Sequence, residues 1–161
     1  MRSAIMIPGT VSYKRDLPPA HYSLKVDSYT LLSSEFGTEK YDGSVFEAGG
    51  HKWRLSFYPN GDTKNNGNDH ISLYLGIVET DTYNCAWEVN VIFMLFVYNQ
   101  IEDKCLTIQD CDGGVKRFHE MKKQWGYARL LSLKTFKDSS NGYLFNDSCV
   151  WSGDFCYKLL W

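Results

Sequence analysis

An all-β domain made of many antiparallel strands is the fold class this sequence predicts, and three observations carry the prediction. Aromatic residues reach 16%, as eleven Tyr, nine Phe and five Trp, and many fall in stretches where flat or branched side chains suit a pleated surface. Short runs alternate apolar and polar residues between Gly-, Pro-, Asn- and Asp-rich turns, the pattern of a sandwich or barrel. The 161 residues contain no Pro/Gly/Ser-rich linker, so one domain with a sizeable core is expected.

Residues 1–18 read as a leader. They run into Leu17-Pro18-Pro19, a pair that fixes an extended backbone and cannot sit inside a helix. The domain is placed at 19–161, and its first strand at His21 to Val26. Lys52 to Phe57 alternates strictly, with Trp53, Leu55 and Phe57 on one face, and Tyr58-Pro59-Asn60-Gly61 stops it. After a polar loop from Asp62 to Asp69, Ile71, Leu73, Leu75 and Ile77 alternate against His70, Ser72, Tyr74 and Gly76. The run Trp87 to Tyr98 is polar on its second face at Glu88 and Asn90, then apolar at Ile92, Met94 and Phe96. That reads as a central strand covered on both sides over its second half. Cys105 to Ile108 is a further strand, closed by Asp112-Gly113-Gly114. Val115 to Lys123 fits a short helix or an irregular crossing. Tyr127 to Leu133, Gly142 to Phe145 and Ser148 to Leu160 are the remaining strand candidates, with Phe136 to Asn141 a helical turn or loop.

Composition argues against several functions. A net charge of -2 supplies no basic field for nucleic acid. No stretch approaches the roughly 18 apolar residues of a membrane helix, and the first ten residues lack the apolar run of a secretory signal. Five cysteines form an odd set, which suits reduced thiols and an intracellular setting, cytoplasmic or nuclear. They read as buried small hydrophobes, with no disulfides. There is no Gly-x-Ser-x-Gly elbow, and His119-Glu120-Met121-Lys122-Lys123 has Lys where a zinc-protease helix needs its second His. Asp110 to Gly114 is a turn rather than a calcium loop. Neither an enzyme, a cofactor nor a metal is expected.

Several blocks resemble plant MATH (meprin and TRAF homology) domains in order and spacing. They include Tyr22-Ser23-Leu24-Lys25-Val26, Phe46 to Leu55, Tyr58-Pro59-Asn60-Gly61, His70 to Leu75, Trp87-Glu88-Val89, Arg117-Phe118, Trp125-Gly126-Tyr127 and Asn141-Gly142-Tyr143-Leu144. The resemblance covers about residues 19 to 158. It implies an eight-stranded antiparallel sandwich of the TRAF/MATH type, with at most short helical turns. It also implies a protein-interaction module that binds short extended motifs of partners by strand addition, as an adaptor or substrate-recognition unit linked to ubiquitin pathways.

Carried over by position, the resemblance implies peptide-binding roles for Tyr74, Phe93, Trp125, Gly126 and Tyr127. Tyr74 has independent support, since it lies on the face that His70 and Ser72 mark as polar. Phe93 shares a face with Val91 and Leu95, which core packing also explains. Lys123, Gln124, Ala128 and Ser56 complete the candidate site, Lys123 as a charge that remains and the other three as departures. Gln124 stands where many relatives have an acid, Ala128 where some have Lys, and Ser56 where some ubiquitin-ligase adaptors have Arg. Those departures leave open a second reading: a degenerate groove in a module that associates with itself or with other MATH domains through exposed strands. A third reading, a sugar-binding sandwich, has only the aromatic richness behind it, and exposed aromatics also serve protein contacts.

Overall fold

The runs that alternate most strictly in the sequence form the longest strands. The protein is described by a computed structural model covering residues 4–7, 10–15, 22–34, 39–110 and 114–156. The chain opens with β1 (Ala4–Ile7), β2 (Thr10–Arg15) and β3 (Tyr22–Val26), then a helical turn α1 (Tyr29–Ser33). Two short strands, β4 (Tyr41–Asp42) and β5 (Phe46–Ala48), precede β6 (His51–Tyr58) and β7 (His70–Val78), which a loop with one 3-10 turn joins. There follow β8 (Glu88–Asn99), β9 (Lys104–Asp110), β10 (Lys116–His119), β11 (Gln124–Ser132), a second helical turn α2 (Leu133–Lys137) and β12 (Cys149–Cys156).

Among the described residues the strands form two antiparallel sheets. The larger has seven strands in the order β1-β2-β9-β8-β12-β3, with β10 pairing the first part of β8. The smaller has five, ordered β11-β7-β6-β4, with β5 also pairing β6. The inward faces meet in one core. β6 and β7 contribute Trp53, Leu55, Phe57, Leu73 and Leu75, facing Val91, Phe93, Leu95 and Val97 of β8 and Trp151 of β12. Edge-on contact of Trp53 with Phe118 at 5.1 Å closes one end, and Trp151 between Phe57 and Phe136 closes the other. Such ring pairs add to the burial of large apolar area. The indole N–H of Trp53 donates to the Ala48 carbonyl at 2.9 Å, so the buried ring leaves no orphan donor.

The sandwich is as expected, but it has more than eight strands. The additions are β4 and β5, too short to show a period, and the hairpin β1–β2 inside the stretch read as a leader. Through β2, whose Thr10–Arg15 run pairs with Arg15↔Cys105 to Thr10↔Asp110, that hairpin extends the larger sheet beyond β9. Val115 to Lys123 holds β10 and a tight turn closed by a His119↔Lys122 bridge, not a helix. Gly142 to Phe145 is not a strand: Gly142 has φ +76, and Phe145 and Ser148 bridge across a two-residue turn. β12 ends at Cys156, and the rest of the last predicted strand lies outside the described residues. Cys105 and Cys149 are buried as read, whereas Cys85 is exposed.

Candidate functional site

Among the described residues β11 is an edge strand, and its register decides which of its backbone groups point away from β7. The Ile77 N–H donates to the Lys123 carbonyl at 2.9 Å, so Lys123 and Ile77 form a hydrogen-bonded pair. Antiparallel pairs alternate. Trp125↔Leu75 and Tyr127↔Leu73 are therefore also hydrogen-bonded pairs, while Gln124↔Gly76 and Gly126↔Tyr74 are the close, unbonded ones. The main-chain N–H and C=O of Gln124 and Gly126 point away from β7, towards the open side of the sheet.

The close pair explains the glycine. A Cβ on Gly126 would stand 2.6 Å from Tyr74 Cα and 2.9 Å from Tyr74 Cδ1, and closer still to the Leu73 carbonyl oxygen. Only glycine lets β11 lie this near β7 with the Tyr74 ring beside it. Tyr74 is fixed from the other side as well. Its hydroxyl donates to Asp62 Oδ2 at 2.9 Å, and Asn65 Nδ2 donates to the same oxygen at 2.7 Å. Asp62 is buried, and burial together with this hydrogen bond holds the Tyr74 hydroxyl well above the usual phenol range. Tyr58 packs edge-on against the Tyr74 ring at 5.5 Å. The polar loop after β6 is thus the clamp of the aromatic platform.

Beyond Tyr127 the register shifts: three residues of β11, from Ala128 to Leu130, stand against Ser72 alone. The Ser72 hydroxyl donates to the Ala128 carbonyl at 2.6 Å and accepts from the Asp62 N–H at 2.8 Å. The bulge is therefore tied to the same loop, and Arg129 Nε adds a bond to the Asn66 carbonyl at 2.9 Å.

Trp125 and Tyr127 take the other face, at the mouth of the sandwich. Trp125 Nε1 donates to the Arg117 carbonyl at 2.8 Å, and Lys122 and Lys116 sit over its ring at 4.5 and 5.1 Å. The Tyr127 hydroxyl reaches Asp110 at 3.1 Å, and Asp110 also pairs with Lys116. Between the two faces runs a groove of about 490 Å³.

Of the sequence-derived candidates, Tyr74, Lys123, Gln124, Trp125, Gly126 and Ala128 line this groove together. Tyr127 braces its wall through Asp110 and is not part of the lining. Two candidates stand apart. Phe93 is 6% exposed and belongs to the core between the sheets, because its alternation with Val91 and Leu95 points it inward. Ser56 lies opposite Tyr74 but is 5% exposed, and its hydroxyl donates to Asp42 at 2.6 Å. Sequence reading missed Asn65, Met121 and Lys122, which complete the lining. Met121, 88% exposed, carries no periodic signal because it sits in the turn between β10 and β11.

An antiparallel sandwich with an edge strand, β11, beside an aromatic platform defines a class of recognition domain. The MATH domain family model matches residues 21–152, and the chain belongs to the MATH domain family. It is 31% identical over 117 residues to ubiquitin C-terminal hydrolase 12 of Arabidopsis thaliana, covering 73% of this chain and 10% of that protein. It is 32% identical over 124 residues to a MATH domain and coiled-coil domain-containing protein of the same plant, covering 76% and 38%. Protein RESTRICTED TEV MOVEMENT 3, also of Arabidopsis, is 32% identical over 101 residues, covering 63% and 32%. The chain thus spans a minor part of each relative's length. MATH domains are protein–protein interaction modules, and the family is not catalytic.

Proposed function

We propose that this domain captures a short, extended segment of a partner protein by adding it as a strand to the free edge of β11. One observation carries the reading: the main-chain groups of Gln124 and Gly126, unpaired among the described residues, face outward beside the platform of Tyr74 and the half-buried ring of Trp125. Backbone pairing supplies affinity in such a mode, and flanking pockets choose side chains. An apolar residue of the segment packs on the Tyr74 ring, and its neighbours in sequence point to the opposite face, where Trp125 lies.

The relatives named ubiquitin C-terminal hydrolase support a role as recognition unit in a ubiquitin-linked protein. In that role the domain supplies choice of partner inside the cell, in cytoplasm or nucleus, and other domains supply chemistry. The test is an array of short peptides rich in Ser, Thr and apolar residues, probed with the wild type and with a folded Trp125→Ala variant. Peptides bound by the wild type and lost by Trp125→Ala support the reading. Equal binding by both proteins moves the site elsewhere, and no binding by either, with dimers in solution, favours self-association.

A further inference from the structure

Groove charge goes beyond the shape of the edge, and this inference rests on the strand-addition reading just given. Lys122 and Lys123 line the groove, and no Asp or Glu does, in a chain whose net charge is -2. Lys122 lies on the Trp125 ring and has no carboxylate partner among the described residues. Lys123 reaches Glu120 at 3.1 Å, but both side chains are substantially exposed, and such a pair is weak and easily exchanged. Gln124, between the lysines and Trp125, adds an amide where an acid would have cancelled them.

An independent observation lies on the same sheet. Arg54 occupies the row Arg54↔Gly76↔Gln124, and Gly76 contributes no side chain between its two neighbours. Among the described residues the Nε of Arg54 is buried without a hydrogen-bond partner, which is uncommon for a charged donor. Lys122 and Lys123 thus line the groove where it begins at Gln124, and Arg54 stands outside the lining, one strand behind Gln124 across Gly76.

We infer that the bound segment carries an anionic side chain within two residues of the apolar one, seated against Lys122 and Lys123 with Arg54 behind. The anion is the carboxylate of Asp or Glu, or the phosphate of a phosphorylated Ser or Thr, which presents more charge and three acceptor oxygens. In the second case the domain reads the phosphorylation state of its partner.

The test takes an array-positive peptide and places Ser, Asp or phosphoserine at each position within two residues of its apolar anchor. Fluorescence polarisation at low and high salt then compares wild type with Lys122→Glu/Lys123→Glu. The expected result is roughly five- to tenfold tighter binding for an anionic version over Ser at one position, lost at high salt and reversed in the double variant. A gain with phosphoserine alone assigns the phosphate, and a gain with both assigns either anion. If Ser peptides bind as well as anionic ones, the charge inference is overturned and the strand-addition reading stands. If no version binds, both fall. Both lysines have solvent-accessible side chains, so an unchanged thermal midpoint checks that the double variant is folded.

Discussion

The sharpest structural consequence concerns two glycines one strand apart. In Gly126→Ala the new methyl group meets Tyr74 Cα at 2.6 Å and the Leu73 carbonyl closer still. Both are backbone atoms, so no rotamer change relieves the clash and β11 must move off β7. Overpacking of this kind costs about 1–3 kcal/mol, and rigid neighbours place it at the upper end. For a domain of this size that lowers Tm by roughly 4–12 °C. Gly76→Ala is the control: its methyl group would find only the Lys123 and Arg54 carbonyls, at 3.7 and 3.8 Å, which is ordinary contact. Alanine is favoured over glycine inside a strand by about 0.5–1 kcal/mol, so stability should hold or rise. Thermal and urea unfolding of the two variants decides the matter, with peptide binding as a second readout. Gly126→Ala should also lose binding, because the Tyr74 ring is displaced. Equal stability of the two variants would refute the claimed close pairing of Gly126 with Tyr74.

Two further outcomes follow from the clamp and the core. Tyr74→Phe removes one of the two donors to the buried Asp62 oxygen and should destabilise the domain by about 1–2 kcal/mol in urea unfolding. Stability should also fall in alkali: burial pushes the Tyr29 hydroxyl up to about 12 from 10.0 and the Cys149 thiol up to about 12 from 9.0. Both groups hold their protons more tightly folded than unfolded, so their contribution is fully present below about pH 9 and is lost as pH rises towards 12. Urea midpoints measured from pH 8 to 11 should decline monotonically from pH 9.

The legible parts of this fold are those where one period governs a whole segment. β6, β7 and β8 alternate in sequence because one face of each meets the core, and their placement needed nothing more. The block Trp125-Gly126-Tyr127 was legible by resemblance, and geometry supplies its reason: glycine at the close pair, aromatics on the face closing the mouth. What stayed hidden depends on partners distant in sequence. Ser56 looks like an exposed polar residue until Asp42, on a strand of two residues, accepts its hydroxyl. Asp62 reads as a loop residue, although it anchors Tyr74. The β1–β2 hairpin carries no strong period because its placement depends on pairing with β9. Phe93 shows the limit of position alone, since its strand turns it into the core.

The central claim is that a peptide adds to the edge of β11, and residue-resolved amide exchange tests it most directly. The Trp125 and Tyr127 amides are already bonded to β7, whereas those of Gln124 and Gly126 face solvent. Adding a saturating array-positive peptide should slow exchange at Gln124 and Gly126 by about tenfold or more while leaving Trp125 and Tyr127 nearly unchanged. Unchanged exchange at Gln124 and Gly126 in the saturated complex would contradict strand addition at this edge.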